Sequence, residues 1–85
     1  MTKRTVTIEL ASGLEARPIA MLVQLASSYE SRIYVQSDNK KVNAKSIMGV
    51  LSLKIRCGES IYVLANGKDE KEALDALEEL AEKTE

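Results

Sequence analysis

The stretch Thr5–Ser28, TVTIELASGLEARPIAMLVQLASS, changes its apolar period part way along, and that change decides the fold. From Thr5 to Leu10, Val6, Ile8 and Leu10 alternate with Thr7 and Glu9, the period of two expected of a strand with one buried face. Ser12 and Gly13 interrupt it. Between Ala16 and Ser28, Ile19, Leu22, Val23 and Ala26 recur at helical spacing, which lines them along one side of a helix. Pro18 falls in the first helical turn, where its missing N–H costs nothing. A strand followed by an amphipathic helix can bury both apolar sides against each other, the start of a two-layer domain.

Working outward, Ile33 and Val35 mark a second strand, SDNKK (37–41) supplies turn chemistry, and Lys41 to Asn43 makes a short third strand. In KSIMGVLSL (45–53), Ser46 is a helix N-cap candidate, followed by Ile47, Val50 and Leu51 at spacings of three and four. RCGES (56–60) ends that segment, Ile61 to Ala65 reads as a fourth strand, and Asn66-Gly67 marks its exit. Asp69 and Glu72 form a capping-box pattern, after which Ala73, Leu74, Leu77, Leu80 and Ala81 line one side of the last helix. The predicted order is βαββαβα in one domain, residues 1–85, with no internal repeat or linker. The economical architecture is α+β: helices cover one sheet face, and the other meets water.

At 85 residues the chain holds one small core. Its single cysteine, Cys57, has neither a disulfide partner nor a neighbouring ligand set, so no metal or cofactor is implied and a reducing compartment fits. No apolar run approaches the roughly 20 residues that span a bilayer, and MTKRTVTIEL lacks a signal-peptide apolar region, so the expectation is cytoplasmic, with no membrane partner. The net charge of -1 hides an asymmetry. Residues 69–85 hold eight acidic and two basic side chains, giving -6, against five acidic and ten basic in residues 1–68, giving +5. A basic body favours phosphate or an acidic partner. Three tyrosines as the only aromatics, with no clustered cations, argue against direct nucleic-acid contact.

GLEARPIA (13–20), followed some thirty residues later by KKVNAKSIMGVLSL (40–53) in this element order, resembles HPr, the phosphocarrier of the bacterial sugar phosphotransferase system. The similarity runs over essentially the whole chain, including the DEKEALDALEEL ending (69–80). It implies an open-faced β-sandwich, a four-stranded antiparallel sheet with three helices on one side. In HPr the position of Glu15 is a histidine that accepts phosphate from enzyme I. Imidazole suits that task as a neutral nucleophile near pH 7, and this chain has no histidine at all. A carboxylate can form an acyl phosphate, but that chemistry needs a metal and a dedicated site. Glu15 is therefore either an acidic residue favourable at a helix start or a recognition element. Arg17 beside it can hold Glu15 or serve as a fork for a partner's carboxylate or phosphate.

Ser46 follows the family closely. In Gram-positive-type HPr the matching serine is phosphorylated by HPr kinase/phosphorylase. From the residues alone a plain N-cap is the favoured reading of Ser46, and the resemblance of the surrounding VNAKSIMGVLSL to the family reverses that preference. A phosphate there would meet free N–H groups and a favourable dipole. Met48 is the best candidate for an exposed apolar contact, while Ile47 and Leu51 can serve either contact or core. Lys45 lies where it can meet an acidic partner. With Arg17 these positions form an apolar patch rimmed by charge.

Loss of the carrier residue with retention of the serine resembles the catabolite-repression branch of the family, Crh, whose familiar members carry glutamine at that position. The resemblance implies a non-enzymatic corepressor that, once serine-phosphorylated, binds the LacI-type regulator catabolite control protein A. It also implies a monomer or a dimer that exchanges its first strand. Two alternatives stay open: a phosphotransferase-system component or decoy acting at Glu15, and an interaction module for another metabolic enzyme.

Overall fold

The structure, a computed structural model, describes residues 2–8, 16–56 and 58–82, with the backbone alone for 16–18. The chain forms β1 (Thr2–Thr7), α1 (Ala16–Ser27), β2 (Arg32–Ser37), β3 (Lys40–Asn43), α2 (Ile47–Leu51), β4 (Ser60–Asn66) and α3 (Glu70–Glu82). The element order is the one the periodicities predict. All strand pairs are antiparallel and the sheet runs β1-β4-β2-β3, so the last strand inserts between the first two. The fold is an α+β open-faced sandwich.

Strand alternation decides where the core sits. Val6, Ile33, Val35, Ile61, Val63 and Ala65 point to the helix side and are buried there. Ile19, Leu22, Val23 and Ala26 of α1, Val50 of α2, and Ala73, Leu74, Leu77 and Ala81 of α3 meet them from the other layer. The turn between β2 and β3 places Asp38 at φ 55, a left-handed conformation that aspartate tolerates better than most residues.

Two sequence expectations need correction. The first strand runs Thr2–Thr7 rather than Thr5–Leu10. Its partner sets the bounds: β4 offers a rung for each residue from Thr2, opposite Ala65, to Thr7, opposite Ser60. The polar start Thr2-Lys3-Arg4 is thus recruited by pairing, not by its own alternation. Ile8 remains buried just beyond, its N–H donating to the Glu59 carbonyl at 2.9 Å. Leu10 lies outside the described residues, as does Cys57.

The second correction concerns Asp69. Its carboxylate accepts from the Glu30 N–H at 2.9 Å, the Ser31 N–H at 3.0 Å and the Ser31 hydroxyl, instead of closing a box with Glu72. Ser31 is only 1% exposed, so its polar groups need a partner more than the helix end does. The Ser31 hydroxyl, then the Glu30 amide, hold the Asp69 carboxyl below the usual range. Glu70 covers the helix start in its place, accepting from the Gly67 N–H at 3.4 Å and from the Thr2 hydroxyl.

Beyond Asp69 and Glu70, the described acidic residues of α3 form a largely solvated helix face, as the composition suggests, apart from two that meet Arg4. Arg4 lies on the helix side of β1 and pairs with Asp75 and Glu78 of α3, which ties the basic first strand to the acidic last helix.

Candidate phosphorylation and docking site

Ser46 begins α2 in an extended conformation, φ -113 and ψ 114, and its Oγ accepts from the Gly49 N–H at 3.2 Å. The approach is organised by Asn43, whose side-chain oxygen accepts from the Lys45 N–H at 2.8 Å and whose carbonyl accepts from the Ser46 N–H at 3.1 Å. The serine is thus an N-cap, as predicted, and only half-buried. Its hydroxyl proton is not consumed by the cap, which uses the oxygen as acceptor.

Gly49 makes this cap compact. A Cβ there would lie 3.3 Å from Val42 Cβ and 3.4 Å from Ser46 Oγ, so glycine lets the helix backbone approach both the serine and β3 closely. At the other end, the Ser52 hydroxyl donates to the Gly49 carbonyl at 2.6 Å and the Ser52 N–H donates to the Met48 carbonyl at 3.1 Å. Five residues thereby hold a helix that would not persist alone.

The two readings of the apolar residues separate cleanly. Val50 is fully buried, whereas Ile47, Met48 and Leu51 are 46%, 77% and 36% exposed. Geometry explains the division: a helix this short presents one side to the core, and three large side chains fall outside it. Serine and exposed apolar residues therefore sit on one short element. Lys45 is more constrained than its position suggested. It is half-buried, and its Nζ donates to the Tyr29 carbonyl just past the end of α1 at 2.8 Å.

Glu15 lies outside the described residues, and Arg17 is placed in the first turn of α1 without a described side chain. Sequence reading missed Met21, which is half-exposed on α1 and lines a shallow apolar groove with Gln24, Leu25, Ser28 and Leu80. Its signal was available, since Met21 falls beside the buried stripe of α1 instead of within it. Among the described residues no group of His, Cys, Asp or Glu is placed to hold a metal, and no helix is long and apolar enough to cross a membrane.

A helix-covered four-stranded sheet, presenting a capped serine and an apolar patch on one short helix, defines the HPr-like open-faced sandwich. The chain matches the family model for the PTS HPr component phosphorylation site over residues 2–83, and it belongs to that family. It is 47% identical over 83 residues to the HPr-like protein Crh of Halalkalibacterium halodurans, covering 98% of this chain and 99% of that one. Among solved structures, HPr-C-His from Thermoanaerobacter tengcongensis superposes with a TM-score of 0.92 at 50% identity, covering 96% of this chain and 92% of that one. Crh of Bacillus subtilis, described as a swapped dimer, matches with a TM-score of 0.79 at 41% identity over 100% of this chain and 98% of that one.

Proposed function

We propose that this protein is a regulatory member of the HPr family: phosphorylated on Ser46 by an HPr kinase/phosphorylase, it then acts as corepressor of a LacI-type regulator such as catabolite control protein A. The observation that carries this reading is the juxtaposition of Ser46, the partly buried N-cap of a five-residue helix, with Ile47, Met48 and Leu51 on the solvent side of that helix. A phosphate on Oγ would add about -1.5 to -2 charges beside those apolar groups. A partner arginine opposite it would then gain a charge-assisted bond, and a hydrophobic anchor lies within the same footprint.

Carriage of phosphate on histidine has no residue to support it, because the chain contains none. The protein has no catalytic role of its own in this reading. This reading places the protein in the cytoplasm with its proposed partners, and a dimer formed by exchange of the first strand is compatible with it. Glu15 stands where the carrier histidine would be, so Glu15→His is expected to gain slow phosphate uptake from phosphoenolpyruvate through enzyme I, whereas the unaltered chain takes none.

The central test is incubation with HPr kinase/phosphorylase and ATP, followed by mapping of the phosphate. A single phosphate at Ser46, absent in Ser46→Ala, is expected, together with regulator binding by the phosphorylated form alone. Undiminished labelling of Ser46→Ala, or equal affinity of both forms for the regulator, would overturn the reading.

A further inference from the structure

The open face of the sheet, away from the helices and from Ser46, carries a cluster that the regulatory reading does not use. Alternation sends Lys3, Arg32, Tyr34, Lys41, Tyr62 and Leu64 to this side. The tyrosines come from the two central strands: Tyr34 on β2 stands opposite Leu64, and Tyr62 on β4 stands opposite Gln36, so the two are diagonal neighbours. A lysine from each edge strand reaches over one ring. Lys3 Nζ lies 4.0 Å from the Tyr62 ring centre, and Lys41 Nζ lies 5.0 Å from that of Tyr34.

No outward position of the four strands holds an aspartate or glutamate. The face is aromatic through its centre and cationic around it, while the acidic residues of α3 lie in the other layer. Beside Tyr62 a groove lined by Thr5, Gln36, Asp38, Asn39 and Ser60 offers amide and hydroxyl groups together with the one carboxylate of Asp38, which belongs to the β2–β3 turn and not to a strand. Composition alone makes three tyrosines and dispersed cations look scattered. Strand pairing gathers two of those tyrosines and three cations on one surface.

We propose that this face binds a short segment of single-stranded nucleic acid, with bases stacked on Tyr34 and Tyr62 and phosphates paired with Lys3, Arg32 and Lys41. The charge selects an anion, and the paired rings select one that also carries flat apolar groups. An acidic peptide would satisfy the cations and leave both rings without a planar partner, and a duplex would keep its bases hidden. The lysines over the rings do not block this arrangement. A base stacks on an aromatic ring more strongly than an exposed ammonium does, so each lysine would yield its ring and meet a phosphate from the rim. The groove amides and hydroxyls then lie within reach of base edges and, in RNA, of the 2′-hydroxyl.

The test is titration of the full chain into a fluorescein-labelled adenosine dodecamer, RNA or DNA, read by anisotropy at about 20 mM and about 200 mM KCl. Three phosphate contacts on a single strand give a slope of about -2 in log K against log salt, so affinity should fall about a hundredfold over that range. The double variant Tyr34→Leu/Tyr62→Leu should bind at least about tenfold more weakly. Lys3→Gln/Lys41→Gln should flatten the slope to about -0.7. Lys71→Gln on α3 should change neither.

Equal affinity for RNA and DNA assigns binding to bases and phosphates, a preference for RNA adds the 2′-hydroxyl, and either supports the proposal. Absence of saturable binding at low salt would overturn it. So would full affinity in the tyrosine variant, or equally effective competition by a glutamate dodecamer, which would reassign the face to an acidic protein segment. Should the tyrosine variant fail to fold, amide shifts of the unaltered protein decide: changes at residues 34, 36, 62 and 64 support the proposal, and changes confined to residues 46–51 refute it.

Discussion

Replacing Ser46 by alanine removes a single hydrogen bond, the one from the Gly49 N–H at 3.2 Å, from the shortest of the described helices. α2 has five residues and one buried side chain, Val50, so its cap is a large share of what holds it. Loss of a serine N-cap costs about 1 kcal/mol. In a domain of this size each kcal/mol lowers Tm by about 4–8 °C. Ser46→Ala should therefore melt about 4–8 °C below the unaltered protein by calorimetry. Ser46→Gly should lose only a few tenths of that energy. Ser46→Asp should match the original, because its carboxylate accepts the same bond and favours the helix dipole. The ordering tests the cap itself: an alanine variant that melts with the original protein, or an aspartate variant that melts with the alanine one, would refute it. The same reasoning extends to phosphoserine, which retains acceptor oxygens at this place, so the phosphorylated protein should melt no lower than the unmodified form. Total stability of about 5–15 kcal/mol leaves Ser46→Ala folded. Its failure to take phosphate would then report the missing hydroxyl and not a lost helix.

Met48→Ala should weaken binding of the phosphorylated protein to its regulator by about 1 kcal/mol or more in a calorimetric titration, with no change in melting, since the side chain is 77% exposed; unchanged affinity would remove Met48 from the docking surface. Gly67→Ala should cost about 1–3 kcal/mol in urea unfolding, because the new Cβ would sit 2.5 Å from Ser31 Oγ and 2.7 Å from Ser31 Cα, and Ser31 is too deeply buried to move aside. A wild-type unfolding midpoint would show that the α1–β2 connection yields freely. Asp69 is depressed in the folded state, so its contribution is complete above the ordinary aspartate pKa of about 3.9 and is lost as pH falls through the lower folded value. The unaltered protein should accordingly lose more stability between about pH 5 and pH 2.5 than Asp69→Asn does, and parallel curves would refute the coupling.

Much of the architecture was legible because each element carried its own period. The stripe Ile19, Leu22, Val23 and Ala26 is buried as a set, and so are Ala73, Leu74, Leu77 and Ala81. What escaped was set by partners distant in sequence. The first three residues of β1 have no apolar alternation, and only the length of β4 tells where the strand begins. Asp69 carries a local capping signal, yet the buried Ser31, 38 residues away, takes its oxygen. The candidate site divides the same way. Ser46 was readable as a cap from its place before an apolar run, while the choice of Val50 over Ile47 and Leu51 for the core awaited the angle at which α2 meets the sheet. Lys45 was expected to be free for a partner, and only the nearby end of α1 explains why its Nζ is engaged.

β1 links these observations, because it is an edge strand whose contacts serve both layers. On the helix side Arg4 pairs with Asp75 and Glu78 and Thr2 donates to Glu70; on the open side Lys3 covers Tyr62 and Thr7 meets Ser60 at 3.3 Å. Exchange of the first strand between two copies, as the family resemblance implies, would re-form each of these contacts with a different chain supplying β1. The exchanged strand supplies none of the hydrogen bonds of the α2 cap, because Ser46, Gly49 and Met48 take none from β1. The cap that holds Ser46 at the start of α2 would therefore be built from the same hydrogen bonds in monomer and dimer. The open face, by contrast, would become composite, with Lys3 from one copy standing over Tyr62 of the other. Dimerisation would leave the chemistry of a single face unchanged while coupling two of them, so its effect on anion binding should appear as avidity rather than as a change in intrinsic affinity.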